Sequence, residues 1–455
     1  MAAHAITLPP MNSRTIAISL FVLSLMGTRR IQAQAPVEAM TLQQCLDTAL
    51  VHNAAIRISA ISIQHGQERI LDAKSNILPK VTANADYRYF SNLPYQLMPT
   101  SIFNGPVGQF KETQFGVPHN ISTQIQVSWP LINPQIKGGI QVSQVASDLT
   151  KLQARKTQEQ VYFDVSSVYY SIQILQNQLD FLEHNYKNAE KLLSTVQLVR
   201  QQLMAKETDV EKIKLQLAQL STQKETISNK ISQLQNNLKF AMGIALDRNI
   251  QISTAIVIKN QAEFAMTSPV EIQLSEGQNQ LLATEVSTLE KSRHIPTLSL
   301  MGSYGSTGFG YDQQPNDFLK FFPLSFIGLQ MSYPLYNGPF SKRKILLKKL
   351  EIQSNEIQTG IIEQQMSMQE KNARLQKQVA GKTIETSKLQ MTLASHIYDQ
   401  TSIQQKQGTA NVTDILLAEN ALREAQQAHL SAIIDYLKAD LELQKITGNI
   451  STRID

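Results

Sequence analysis

The sequence predicts a mainly helical chain with a small strand part, built as two structural repeats. Three observations predict it. Landmark residues recur at a fixed offset, four short segments alternate apolar and polar residues, and long proline-free stretches carry apolar residues at heptad spacing.

The repeat is read from matching landmarks. Thr208-Asp209-Val210 returns as Thr413-Asp414-Ile415, and Gly243 and Gly448 each lie 34 residues past their Asp. Trp129-Pro130-Leu131-Ile132-Asn133 returns as Tyr333-Pro334-Leu335-Tyr336-Asn337. The offset is 205 for the Asp pair and 204 for the Pro pair. Each copy reads helix, strand, loop, strand, long helix, turn, long helix. Such a chain points to a structure completed by symmetry and away from an enzyme pocket.

The start reads as a secretory leader over residues 1–33. Arg14 precedes the apolar run from Thr15 to Gly27, and small residues follow at Ala33 and Ala35. The run is too short to span a bilayer comfortably as a helix. Net charge is +5, and Arg14, Arg29 and Arg30 precede any acidic residue, so the rest is near neutral and carries no signal for nucleic acid. A single cysteine, Cys45, rules out an intrachain disulfide.

Four segments alternate with period two. Val81, Ala83, Ala85, Tyr87 and Tyr89 oppose Thr82, Asn84, Asp86 and Arg88. Ile121, Thr123, Ile125, Val127 and Trp129 oppose Ser122, Gln124, Gln126 and Ser128. Leu298, Leu300 and Tyr304 oppose Thr297, Ser299 and Ser303; Ile327, Leu329, Met331 and Tyr333 oppose Gly328, Gln330 and Ser332. Each is long enough to cross a bilayer as a tilted strand, and aromatic residues gather near the ends. A soluble sandwich with one wet face shares this pattern. In a membrane, four strands cannot close a barrel and open edges cannot face lipid, so several chains must share one barrel. The loop at about 91–120, rich in Pro and Gly and longer than its counterpart, is the expected outer surface.

The helices follow. Val161, Val165, Val168, Ile172, Leu175, Leu179 and Leu182 open a 4,3 spacing that runs to Val196, a coiled-coil seam. The pattern resumes at Val210 and Ile213, with Lys224 interrupting one core position. In the second copy Ile415, Ala418, Leu422 and Ala425 form a smaller seam, continued by His429, Ala432 and Tyr436. A helix from about Ile140 to Leu203 would run on the order of 90 Å.

No catalytic constellation stands out and the eight His residues show no paired metal spacing. The expectation is no enzyme, no cofactor and no metal. His429 and Tyr436 read as packing or pore-facing, and Met366, Met368 and Met391 as core filling rather than copper ligands. Asp414 reads as a helix cap or as a lumen charge. Lys342-Arg343-Lys344 and Lys348-Lys349 read as a solvated helix face or as a contact to lipid headgroups.

Taken together, these stretches resemble the TolC family of outer-membrane efflux proteins. Met40–Asn53 is similar to the family's opening helix, and Leu78-Pro79 to the approach to its first membrane strand. Gly408-Thr-Ala-Asn-Val-Thr-Asp414-Ile-Leu, followed by Ala-rich heptads ending at Gly448, is similar to its most recognisable stretch. Ala410, Leu417, Leu203 and the Asn53-Ala54 pair depart from the family pattern.

The resemblance implies a mainly α fold with a transmembrane β part. Long antiparallel coiled-coil helices would form an α-barrel continuous with a 12-stranded β-barrel shared by a homotrimer. It implies an exit channel of a tripartite efflux or type I secretion system, working with a periplasmic adaptor and an inner-membrane transporter. The alternative is a periplasmic coiled-coil adaptor or a structural protein. Asp209, Asp414, Thr208 and Thr413 would lie at the periplasmic mouth. Leu203, Met204, Gly408 and Thr409 would be adaptor-facing tips. Gln124, Gln126, Ser128 and Gln330 would line the barrel lumen. The expected layout is a first repeat over 38–250, with strands 79–90 and 121–132 and a helix hairpin over 140–243. A linker at 251–268 leads to a second repeat over 269–450, with strands 296–305 and 324–336 and a hairpin over 341–448.

Overall fold

The structure, a computed structural model, describes residues 39–258, 268–311 and 319–450. The leader and half of the expected linker, residues 259–267, lie outside the described residues. The chain opens with α1 (Leu42–His52) and α2 (Ala54–Ser75). Thr41 and Gln44 form a capping box at α1, and the Asn53 side chain accepts from two backbone N–H groups at the start of α2. Then come β1 (Lys80–Tyr89), β2 (Tyr95–Pro99), β3 (Phe110–Gln114) and β4 (His119–Ile132). Two long helices follow, α3 (Pro134–Gln201) and α4 (Glu207–Met242). The second half runs α5 (Val270–His294), β5 (Thr297–Gly310), β6 (Lys320–Ser332), α6 (Phe340–Lys406) and α7 (Val412–Ile446).

The main sheet is antiparallel in the order β1-β4-β5-β6. The helices that continue these strands keep the same order: α2 packs on α3, α3 on α5, and α5 on α6. At 68 and 67 residues, α3 and α6 each run about 100 Å. Below the point where α2 and α5 begin, α3 folds into a hairpin with α4, and α6 with α7.

The seam read from the sequence is the interior. Val165, Ile172, Leu182, Ala189 and Val196 of α3 are buried, as are Val210, Ile213, Leu220 and Leu238 of α4. Lys224 is accommodated by reaching Glu183 at 3.9 Å and the Tyr186 ring at 5.1 Å. The largest core cluster joins Cys45, Leu46 and Ala49 of α1 to Val165 and Ile172 of α3, with Leu238 and Met242 of α4, Leu441 of α7 and Ile450. Gly243 and Gly448, the repeat landmarks, both end their helices at φ 71, the left-handed conformation that glycine adopts without steric cost.

Several boundaries differ from expectation. The expected 296–305 strand runs on to Gly310, because Ser306–Phe309 pair with Phe322, Pro323 and their neighbours and with β4. The expected 324–336 strand is Lys320–Ser332 instead. Pro334 supplies no N–H to extend the ladder, whereas Pro323 is tolerated on an edge strand. Both hairpins begin earlier than expected. Asn133 caps α3 with Pro134 at its first turn, and α6 starts at Phe340. The outer loop is not plain loop: Tyr95–Pro99 pairs with Phe110–Gln114. The described part of the linker is no free tether. Met40 bridges Ile252, and amides of Gln173 and Asn177 on α3 donate to the carbonyls of Ser253, Ala255 and Thr254. Ile250 and Ile252 are buried by that strapping.

Candidate functional site

Three features could carry function: the sheet faces, the two helix tips, and a buried polar seam just above the tips. In an antiparallel ladder, residues directly opposite share a face. The register Val81↔Val127↔Gly302↔Ile327 and Ala83↔Ile125↔Tyr304 therefore defines one face. Val81, Ile125, Trp129, Tyr304, Ile327, Leu329 and Met331 stand exposed on it. Asn84, Gln124, Gln126, Ser128, Ser303 and Gln330 share the opposite face. There Asn84 donates to Gln126 and Ser303 to Gln124, each at 3.4 Å. One part of this face departs from alternation. Phe322, Leu324 and Phe326 of β6 lie on it, so the outer half of β6 is apolar on both sides.

The tips are built alike from unlike residues. At the α3 end, Leu203 N donates to Arg200 O and Met204 N to Val199 O. At the α6 end, Gly408 N donates to Gln405 O and Thr409 N to Gln404 O. The offset is again 205. Gly408 sits at φ 77 and Leu203 at φ 60, so a leucine holds a left-handed position natural to glycine. Leu203 is 95% exposed, and Met204, Gly408 and Thr409 are exposed beside it.

The two Asp residues differ in role. Asp414 closes a capping box: its carboxylate accepts the Asn411 N–H at 2.9 Å, and the Asn411 side chain accepts the Asp414 N–H at 2.9 Å. Asp209, in the first turn of α4, faces Lys212 at 3.7 Å. That lysine also donates to the Thr413 hydroxyl at 3.0 Å. Thr208 is exposed, and an Arg200–Glu207 ion pair crosses the first tip.

Above the tips, sequence reasoning missed a buried polar seam. Glu419 of α7 is 3% exposed and its Oε1 has no hydrogen-bond partner. Gln216 Nε2 of α4 and Arg423 Nη1 of α7 are likewise buried without one. Burial pushes the Glu419 carboxyl up to about 7, opposed by the Gln216 amide and the Arg423 charge. Glu419 directly follows the seam residue Ala418, and that adjacency was the available signal. Nearby, His429 meets Ser387 at 3.2 Å, with its pKa lowered by burial and then by Lys388, and Tyr436 is buried. Met366 packs against a core cluster, but Met368 is exposed and fills no core. No group of His, Cys, Asp and Glu among the described residues is arranged to hold a metal.

No family model matches the chain. The chain is 20% identical to outer membrane protein TolC of Salmonella enteritidis over 431 residues, covering 91% of this chain and 83% of that one. The likeness to TolC thus runs along most of the chain. Solved structures share its fold. The outer membrane protein VceC of Vibrio cholerae superposes with a TM-score of 0.71 at 14% identity, over 90% of this chain and 96% of that one. The CmeC channel of Campylobacter jejuni gives 0.71 at 14%, over 90% and 85%. The MtrE channel of Neisseria gonorrhoeae gives 0.70 at 15%, over 90% and 88%. These relatives are outer-membrane proteins, and this chain shares their fold.

Proposed function

We propose that three copies close into one conduit and serve as the exit channel of a tripartite efflux or type I secretion system. One observation carries this reading. The sheet and the helix wall are both open, in the same order, with β1 and α2 on one edge and β6 and α6 on the other. An open sheet edge cannot face hydrocarbon, because its N–H and C=O groups would go unpaired. Closing β6 of one copy on β1 of the next removes the edges and makes a 12-stranded barrel. Exposed apolar side chains along α6, such as Ile357, Ile361 and Leu375, would be covered by the same operation.

In this reading Gln124, Gln126, Ser128 and Gln330 line the lumen, and the face with Val127 and Ile327 meets lipid. Asp209 and Asp414, with Thr208 and Thr413, ring the periplasmic mouth. Leu203, Met204, Gly408 and Thr409 meet a periplasmic adaptor, which joins the channel to an inner-membrane transporter. A soluble adaptor or structural protein would leave the exposed apolar sheet face in water.

Sizing of the purified protein in detergent, followed by planar-bilayer recording, tests the proposal. The expected result is a trimer with a discrete conductance. A monomer that stays soluble without detergent would overturn it.

A further inference from the structure

The four places where strand meets helix share one chemical feature. Lys74 stands exposed in the last turn of α2, just before the passage to β1. Lys137 stands exposed in the first turn of α3. Lys291 and Arg293 are exposed in the last turn of α5. Lys342, Arg343 and Lys344 are exposed in the first turn of α6. Acidic residues in this zone are few. Glu290 and Glu285 of α5 are engaged by Lys349 at 3.2 Å and Lys348 at 3.0 Å, and Glu351 shares Lys348 at 2.8 Å, which leaves the exposed Glu68 and Asp72.

At the ends of α2 and α5 these cations have a local explanation, since basic side chains favour the negative end of a helix dipole. The starts of α3 and α6 have the opposite polarity. There a cation is unfavourable, and neither first turn holds an acidic residue to offset it. Four cations therefore sit where helix electrostatics disfavours them. Immediately beyond them the apolar sheet face begins, with Val81, Trp129 and Met331 exposed. A ring of positive charge against the border of an apolar band has the chemistry of a site for phosphate headgroups.

We propose that this collar binds anionic phospholipid headgroups of the periplasmic leaflet and fixes how deeply the barrel sits. The proposal rests on the membrane-spanning reading above. Its partner is a phospholipid rather than free phosphate, because the charges are spread around the whole junction and not gathered into a pocket.

The test uses the full-length protein reconstituted in phosphatidylethanolamine vesicles, with and without phosphatidylglycerol. Native mass spectrometry after gentle extraction then counts retained lipid. Wild type should retain phosphatidylglycerol over phosphatidylethanolamine, less so in high salt. Lys342→Gln with Arg343→Gln and Lys344→Gln should lower that preference roughly tenfold. Lys291→Gln with Arg293→Gln is a second variant, should the first fail to insert, and should lower it in the same direction. Lys382→Gln with Lys388→Gln, in the middle of α6, should leave it unchanged. Inorganic phosphate added to detergent-solubilised protein should not raise its melting temperature. No preference in wild type, an unchanged preference in both collar variants, or stabilisation by phosphate alone would overturn the collar. Failure of the wild type to insert at all would instead overturn the channel reading.

Discussion

The Lys212 ammonium donates to the Thr413 hydroxyl at 3.0 Å, tying α4 to α7 across the two repeats. The same ammonium lies 3.7 Å from Asp209, so one cation stands between the landmark Thr-Asp pairs of both copies. Its side chain is 48% exposed, which screens the interaction. Lys212→Met should change folding stability by no more than ~0.5 kcal/mol. It should nevertheless raise resting conductance in bilayers, because the two hairpin ends lose their polar link. An unchanged resting conductance would show that apolar packing alone holds them.

Asp414 can act through its cap or its charge, and two substitutions separate these. Asp414→Asn keeps an acceptor for the Asn411 N–H, whereas Asp414→Ala removes it. Ala should fray the start of α7 at a cost of about 1 kcal/mol, visible as faster amide exchange there. If the carboxylates ring the mouth, both variants should lose cation selectivity equally. Selectivity retained in Asn but lost in Ala would mean that helix order, not charge, matters.

Leu203 and Gly408 occupy matching left-handed positions, and only one is a glycine. Leu203→Gly should relieve strain and stabilise the α3–α4 tip by about 0.5–1 kcal/mol, after the extra entropy that glycine brings to the unfolded chain. Gly408→Leu should destabilise the other tip by a similar amount. Urea unfolding midpoints of the two variants would check both signs.

Glu419 makes stability fall as pH rises. Its folded pKa is raised from 4.5 to about 7, so the folded state holds the proton more tightly than the unfolded chain. The stabilising contribution is full below pH 4.5, declines through the window up to about 7, and is gone above it. Tyr398 of α6 faces the same region, pushed up to about 12 by burial and then by Glu419 and Asp399, so it stays neutral throughout. The window corresponds to stability on the order of 3 kcal/mol. Melting temperatures between pH 5 and 8 should decline in wild type and lie nearly flat in Glu419→Gln. A parallel decline in both would assign the effect to another group.

Register in the sheet predicts opposite outcomes for neighbours. Val127→Arg places a charge on the apolar face and should cost roughly 2–4 kcal/mol near the midplane. Gln126→Arg lies on the hydrogen-bonded polar face, so it should fold normally and shift conductance. Lipid-phase labelling of a cysteine at 126 but not at 127 would reverse the assignment.

The sequence by itself determined what depends on near neighbours. The 4,3 spacing from Val161 to Val196 named the buried seam, because a helix face is a local periodicity. Alternation in 81–89 and 121–129 named the two sheet faces for the same reason. The landmark offset of 205 held even at the tips, where Met204 and Thr409 make matching backbone bonds. Tertiary structure decided what depends on distant partners. Gly308 and Phe309 are no strand by local pattern, yet they pair with Ile121 and Asn120 some 190 residues away. Tyr333-Pro334 looked like strand and is not, since nothing pairs there to offset the missing N–H. The strap at Gln251–Ala255 follows from amides on α3 reaching its carbonyls. Glu419 is polar and looks like surface; only the convergence of α4, α6 and α7 strips it of water and moves its proton affinity. Local periodicity is carried by each segment alone. Burial and pairing belong to surfaces that exist only once distant segments meet.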